Sequence, residues 1–174
     1  MSRGPVVVVH RNKQFLADAA AARLVTAIVD AQSSRGQADI VLTGGSMGSA
    51  ILVSLGQSPA KEAIDWRRLN IWWGDERFLN AGDPERNETQ SWAALLDSVP
   101  LDSHRVHAMP ASDGPAGADV DAAAARYAEE LAAAAPHGQD VPEFDVLLLG
   151  VGPDAHVASL FPEHPSSEGH PSAL

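Results

Sequence analysis

Four short apolar runs alternate along the chain with longer segments in which apolar residues recur every three to four positions. The runs lie at residues 6–10, 38–43, 69–73 and 145–149. Continuous apolar runs of this length are typical of strands that are buried on both faces of a parallel sheet. Because the runs alternate with helical segments, the pattern predicts an α/β fold: an open, mostly parallel, Rossmann-like sheet with helices on both faces.

The segments between the strands carry residues that begin and end helices. Asn12 is a candidate N-cap for a helix that ends before Gly36, and Asp119 is the candidate N-cap of an alanine-rich helix at residues 120–135. Two shorter helices, a brief strand and an amphipathic piece are predicted, in that order, at residues 47–55, 88–96, 105–109 and 157–161.

The length and composition fit one soluble domain. A chain of 174 residues supports a single hydrophobic core, and we expect one domain over residues 1–174. The absence of cysteine excludes disulfides, cysteine-ligated metals and a thiol nucleophile. No apolar stretch approaches the roughly 18–20 residues that span a bilayer, and the first run is too short for a signal-peptide core. We therefore expect a cytoplasmic protein, either a monomer or a weak homo-oligomer.

The charge balance narrows the choice of partners. The chain has 12 Lys and Arg against 23 Asp and Glu, a net charge of −11, and its basic residues form no stripe. Nucleic acids and anionic membranes require clustered basic residues, so we predict neither as a partner. A small anion stays possible, because backbone N–H groups at a helix N-terminus and one arginine bind phosphate whatever the net charge.

A glycine-rich segment, Thr43-Gly-Gly-Ser-Met-Gly48, lies between a predicted strand and a predicted helix. Its N–H groups and the Ser46 hydroxyl suit a phosphate on the helix dipole. A tight turn with Ser46 as N-cap explains the same residues. The segment also matches G-x-S-x-G, the nucleophile elbow of serine hydrolases, with His156 as the base, although only one strand precedes it here. All three interpretations stay open at this point.

Charged residues follow the third run directly, at Asp75, Glu76 and Arg77. Charged residues at a loop are usually only solvated, but two tryptophans, at 72 and 73, precede these. We therefore expect a well-packed strand end that holds Arg77 in place. The guanidinium of Arg77 suits a phosphate, a carboxylate or a developing oxyanion.

The last run ends in a loop that contains Asp154 and His156. A histidine at the end of a strand is a candidate general base, and a nearby carboxylate fixes its tautomer. A surface histidine in a polar loop is the plainer interpretation. The loop matches the dinucleotide pattern G-x-G-x-x-A weakly, because Pro153 removes an N–H group. The other histidines lack metal-ligand spacing, so we predict no metal site.

Together these segments resemble the 6-phosphogluconolactonase family. They are Thr43-Gly-Gly-Ser46, Gly74-Asp-Glu-Arg77 with Asn87 downstream, and Gly150-Val-Gly-Pro-Asp-Ala-His-Val-Ala-Ser-Leu-Phe-Pro162, in the family's order and spacing. Related glucosamine-6-phosphate deaminases share parts of the pattern, but their histidine segment continues towards Ala-Phe-Asn-Glu-Pro. The sequence here is lactonase-like in that segment and in having Arg77 after the acidic pair.

The resemblance implies hydrolysis of 6-phospho-D-glucono-1,5-lactone to 6-phosphogluconate in the oxidative pentose phosphate pathway, without metal or organic cofactor. The phosphorylated sugar lactone would be the small-molecule partner. By position, Gly44, Gly45 and Ser46 would bind the phosphate, and Asp75 and Arg77 would line the sugar. His156, oriented by Asp154, would act as acid and base while Arg77 stabilises negative charge.

Two departures from the family pattern accompany the resemblance. Ala155 stands where the family usually has glycine, so a positive φ there would strain the loop by about 1–2 kcal/mol. Family members also continue through further strands, and the resemblance therefore implies a domain that is C-terminally incomplete. The rival function is a sugar-phosphate-binding module without catalysis; deaminase activity is the alternative within the superfamily.

Overall fold

Four parallel strands form the centre of the described part of the chain, residues 4–162 of the computed structural model. The elements follow one another as α1 (Lys13–Arg35), β1 (Ala38–Leu42), α2 (Gly45–Gln57), β2 (Leu69–Trp73), α3 (Asn87–Ala94), β3 (Val106–His107), α4 (Val120–Ala134) and β4 (Val146–Leu147). Single turns of 3-10 helix lie at Pro59–Ala63, Trp66–Arg68, Leu96–Ser98 and Ser103–Arg105.

The strands are ordered β3-β2-β1-β4 in the sheet. Val41 of β1 lies opposite Trp72 of β2 and, on its other side, opposite Leu147 of β4. The short strand β4 is held at its start by Asp145. Its backbone N–H donates to the Asp39 carbonyl at 2.8 Å, and its carboxylate accepts the Asp39 N–H at 2.9 Å. The α/β fold with a parallel sheet is thus confirmed.

The two faces of the sheet are covered by different helices. Ile40, Leu42 and Ile71 belong to a core shared with α1 and α2, and Ile71 is fully buried there. On the opposite face, Trp72 is buried against Tyr127 of α4. Consecutive residues of a strand point to opposite faces, which explains why β1 and β2 are apolar throughout.

The predicted helix ends are found in the structure. The Asn12 side chain accepts the Phe15 N–H at 2.9 Å, and α1 ends at Gly36, which adopts a φ of 82°. A glycine at this left-handed position avoids the strain that a side chain would cause. The Asp119 carboxylate likewise caps α4 by accepting the Ala122 N–H at 3.0 Å.

The predicted first strand is wrong. Residues 6–9 have no strand geometry, and the exposed fractions of Val6, Val7 and Val9 are 83%, 84% and 90%. A strand needs a partner as well as β-branched residues. Both edges of β1 are taken, by β2 and β4, and no residue between 4 and 162 pairs with this run.

Other boundaries shift by a few residues. The predicted strands at 105–109 and 145–149 shorten to β3 and β4, two residues each. The piece at 157–161 is a turn closed by isolated bridges of Val157 to Val151 and to Leu160. Within residues 4–162, no helix has both the length and the apolar composition that crossing a membrane requires.

Candidate active site

Three loops that carry the sequence-predicted site residues follow three adjacent strands. We call them the glycine loop (residues 43–48, after β1), the acidic loop (74–77, after β2) and the histidine loop (148–162, after β4). The strands are parallel, so the loops leave the same edge of the sheet.

Backbone hydrogen bonds continue the sheet into these loops. The Gly74 N–H donates to the Leu42 carbonyl at 3.1 Å, and the Leu148 N–H donates to the Val41 carbonyl at 3.0 Å. The acidic and histidine loops therefore begin on either side of the glycine loop. This strand order brings the three predicted segments together.

The glycine loop forms the N-terminus of α2. Gly44 is the N-cap and has no side chain to cap the helix, while Gly45 adopts a φ of 76°. Ser46 is exposed inside the first turn, so the interpretation of Ser46 as N-cap is wrong. The first turn contains no acidic residue, and its N–H groups suit an anion on the helix dipole.

Gly44 also allows a close approach to Asn87 at the start of α3. A Cβ atom on Gly44 would lie 1.7 Å from the Asn87 side-chain oxygen, which is too close for any larger residue without a shift. Asn87 is buried, and its side-chain nitrogen donates to the Asp75 carbonyl at 3.0 Å and to Asp75 Oδ1 at 3.3 Å. Asn87 thus connects the glycine loop with the acidic loop.

Glu76 is the buried organiser of the acidic loop. Its carboxylate accepts the N–H groups of Arg77 at 2.7 Å, Asn87 at 2.6 Å and Glu88 at 2.9 Å. Negative charge at this position also stabilises the N-terminus of α3. The Arg86 guanidinium, whose side chain is 1% exposed, lies 3.7 Å from the carboxylate of Glu76.

The sequence gave no role to Glu76 or Arg86, because a charged residue in a loop is usually solvated. Arg86 is held from several directions: it donates to the carbonyls of Leu79 at 3.3 Å and Met109 at 2.8 Å, and to the Glu88 carboxylate at 3.1 Å. These partners lie up to 23 residues away. No spacing rule for a single segment reveals such a network.

The side chain of Arg77 differs from the expectation. Its backbone is held, since the N–H donates to Glu76 and the carbonyl accepts the Leu79 N–H at 2.8 Å. The residue is exposed, however, and its guanidinium forms no hydrogen bond or ion pair with residues 4–162. The prediction that the packed strand end holds this side chain in place is wrong; only the loop backbone is fixed.

In the histidine loop, Asp154 and His156 are paired as predicted. His156 Nδ1 hydrogen-bonds to Asp154 Oδ1, and this bond is the main cause of a pKa of Asp154 below its usual value of 3.8. The carboxylate favours the tautomer with the proton on Nδ1, which leaves Nε2 as an acceptor. The His156 side chain is 27% exposed and its ring lies 4.6 Å from that of Phe161.

Two alanines in this loop adopt left-handed backbone conformations. Ala155 has a φ of 67° and Ala158 a φ of 52°. Such angles cost a residue with a Cβ atom about 1 kcal/mol or more relative to glycine. The positive φ that the sequence left as a condition is therefore present at Ala155, directly before His156.

One side-chain hydrogen bond ties the histidine loop to the acidic loop. Ser159 Oγ donates to Asp75 Oδ2 at 2.8 Å, across 84 residues of sequence. Sequence reasoning missed Ser159, which appeared there only as part of the resemblance. Within residues 4–162, no group of three or more His, Asp and Glu side chains is arranged as a metal site.

Comparisons with known proteins agree with this fold. A 6-phosphogluconolactonase from Streptomyces coelicolor is 68% identical over 167 residues, which cover 95% of this chain and 64% of that protein. One from Mycobacterium tuberculosis is 47% identical over 160 residues and is also covered to 64%. The chain thus spans a little under two thirds of the length of these relatives.

The solved structures include a 6-phosphogluconolactonase from Trypanosoma brucei. It is 30% identical, with a TM-score of 0.81 over 96% of this chain and 67% of that one. The sequence model described as glucosamine-6-phosphate isomerases/6-phosphogluconolactonase matches residues 11–173. The chain therefore belongs to the glucosamine-6-phosphate isomerase/6-phosphogluconolactonase family.

Proposed function

We propose that this chain belongs to an enzyme that hydrolyses 6-phospho-D-glucono-1,5-lactone to 6-phosphogluconate, a step of the oxidative pentose phosphate pathway. The observation that carries the proposal is the Asp154–His156 pair, whose Nε2 is left as a base in a loop joined to the acidic loop beside the glycine loop. The relatives named 6-phosphogluconolactonase support the same choice.

The glycine loop supplies the binding of the substrate. Gly44, Gly45 and Ser46 offer N–H groups and a hydroxyl at the start of α2, a site suited to the phosphate of the sugar. Asp75 accepts hydrogen bonds from sugar hydroxyls through its remaining lone pairs. Exposed Arg77 reaches over the same edge of the sheet, where its mobile guanidinium closes on the substrate's negative charge.

The chemistry needs one base and one site for negative charge. His156 Nε2 takes a proton from water as the oxygen attacks the lactone carbonyl carbon, and Arg77 stabilises the resulting oxyanion. When the intermediate collapses, the bond between this carbon and the ring oxygen breaks. The imidazolium returns its proton to the ring oxygen, which becomes a hydroxyl, and the new carboxylic acid ionises in water.

Asp154 acts through His156. Its low pKa keeps it ionised at neutral pH, so it accepts the Nδ1 proton and stabilises the imidazolium that forms during attack. General acid–base catalysis of this kind contributes about 10²–10⁴-fold to the rate.

The alternative that uses Ser46 as a nucleophile has less support. His156 Nδ1 is paired with Asp154, and within the described residues Ser46 forms no hydrogen bond with the imidazole. The elbow also follows the first strand of the sheet, whereas serine hydrolases place it after several strands. A Ser46→Ala variant that hydrolyses lactone at the normal maximal rate would exclude this alternative.

The decisive experiment follows acid release from fresh phosphogluconolactone by stopped flow, with spontaneous hydrolysis subtracted. We expect His156→Asn to reduce kcat by at least about 10²-fold while 6-phosphogluconate still binds. His104→Asn is the matched control, because the His104 side chain is 93% exposed outside the three loops. A fully active His156→Asn variant would refute the proposed base.

The same assay separates the rival functions. Binding of 6-phosphogluconate with no rate above the background would favour a non-catalytic sugar-phosphate-binding module. Release of ammonia from glucosamine 6-phosphate would favour a deaminase. The cytoplasmic location, the absence of nucleic-acid and membrane partners and the monomeric or weakly associated state stay predictions from the sequence.

A further inference from the structure

We propose that Ser159 is a positioning residue for this reaction: its hydroxyl, by binding Asp75, sets the place of His156 relative to the acidic loop. The inference rests on the proposed function and adds a residue to it. Ser159 reaches the reaction through the loop and does not touch the reacting atoms.

The histidine loop is internally tied. The Gly152 N–H donates to the His156 carbonyl at 2.9 Å, and the Ala158 N–H donates to the Gly150 carbonyl at 3.0 Å. Opposed bonds between Val157 and Leu160, at 3.2 and 2.9 Å, close the turn that contains Ser159. Residues 150–160 therefore move together as one small unit rather than as independent side chains.

The attachment of this unit to its neighbour is much thinner. In the part of the chain that the structure describes, the Ser159–Asp75 bond is the one side-chain hydrogen bond between the histidine loop and another loop. The other end of the loop is held by the two-residue strand β4. A unit fixed by a short strand at one end needs a second point of attachment to hold its orientation.

Asp75 is suited to provide that second point. One carboxylate oxygen accepts from buried Asn87 at 3.3 Å and the other accepts from Ser159 at 2.8 Å. Asn87 in turn lies against Gly44. Asp75 thus relays the position of the glycine loop, where the phosphate binds, to the histidine loop, where the base lies.

The test compares Ser159→Ala with Ser159→Thr, which keeps the hydroxyl and adds a methyl group at an exposed position. We expect Ser159→Ala to lower kcat about tenfold, because a small displacement of the base lowers the rate steeply. KM and the pH profile of kcat/KM should stay within error, since the phosphate site and the Asp154–His156 pair remain. Ser159→Thr should recover the rate to within about twofold.

Ser112→Ala is the matched control. Ser112 also donates a hydrogen bond between two loops, to Asn80 at 2.8 Å, but neither residue belongs to the three site loops. We expect this variant to retain the normal rate. A normal kcat for Ser159→Ala, an effect confined to KM, or a threonine variant as slow as the alanine variant would each overturn the proposal.

A second readout does not depend on lactonase activity. The His156 ring signal in a proton NMR spectrum, identified by its loss in His156→Asn, should shift in Ser159→Ala and return in Ser159→Thr. If the unmodified chain hydrolyses no lactone, the proposed function fails, and this signal still decides the role of Ser159 in positioning. An unmoved signal in Ser159→Ala refutes that role.

Discussion

Gly152 offers a direct way to displace the proposed base. A Cβ atom on Gly152 would lie 2.0 Å from His156 Cε1 and 2.4 Å from Nδ1, whereas ordinary contacts begin at 3.4 Å. The backbone of Gly152 is outside the left-handed region, so an alanine fits its φ, and it keeps the N–H bonded to the His156 carbonyl. In Gly152→Ala the imidazole itself must therefore move.

The size of the movement sets the expected effect. The ring has to retreat by about 1.4 Å, the shortfall against ordinary contact, and a misplacement of about 1 Å lowers a rate by about 10²-fold. Because the ring is partly exposed and rotates at little cost, stability should change little. We expect kcat to fall about 10²-fold while the midpoint of thermal unfolding moves by less than about 3 °C.

The measurement is initial-rate lactone hydrolysis, with thermal unfolding on the same samples. Gly150→Ala is the control in the same loop, because its Cβ atom would lie 3.3 Å from Thr43 Oγ1, only slightly inside ordinary contact. We expect this variant to lose less than about threefold in rate.

A double variant tests whether the loss in Gly152→Ala acts through the histidine. If displacement of His156 is the whole effect, Gly152→Ala combined with His156→Asn should be no slower than His156→Asn alone. A Gly152→Ala variant with the normal rate, or additive losses in the double variant, would refute the reasoning.

Three further predictions concern the loops. Ala155→Gly should raise the free energy of unfolding by up to about 1 kcal/mol in urea denaturation, because glycine relieves the φ of 67°, and a loss of stability would contradict this. Glu76→Gln should lower that free energy by about 3 kcal/mol, since a buried acceptor of three N–H groups loses its charge; a loss under 1 kcal/mol would argue against its role. The Asp154 carboxyl carbon should titrate by NMR with a midpoint below 3.8, so its interaction with His156 is present at neutral pH and is lost only as the pH falls through that midpoint; a midpoint above 3.8 would contradict the pairing.

The parts of the fold that depend on local pattern were predictable. The strand at 69–73 agrees residue for residue with β2, and the caps of α1 and α4 are at Asn12 and Asp119. These features depend on residues a few positions apart. The run at 6–9 failed because strand formation also depends on a partner, which no local pattern specifies.

The site was predictable to the same limit. The three loops and the Asp154–His156 pair follow from strand ends and from a spacing of two residues. The burial of Arg86, the exposure of Arg77 and the bond from Ser159 each depend on segments that are distant in the sequence. Single-segment reasoning identifies candidate chemistry but not the contacts that orient it.

The thinness of β4 has a consequence for the order in which the chain assembles. Asp39 contacts Trp72 across 33 residues but Asp145 across 106. Closing the longer loop costs about 1 kcal/mol more in chain entropy, and the strand that results contributes only two residues to the sheet. Local pairings form first in folding. On refolding, the chain therefore gains its capacity to bind phosphate before its capacity to hydrolyse, and catalysis is the last property to return.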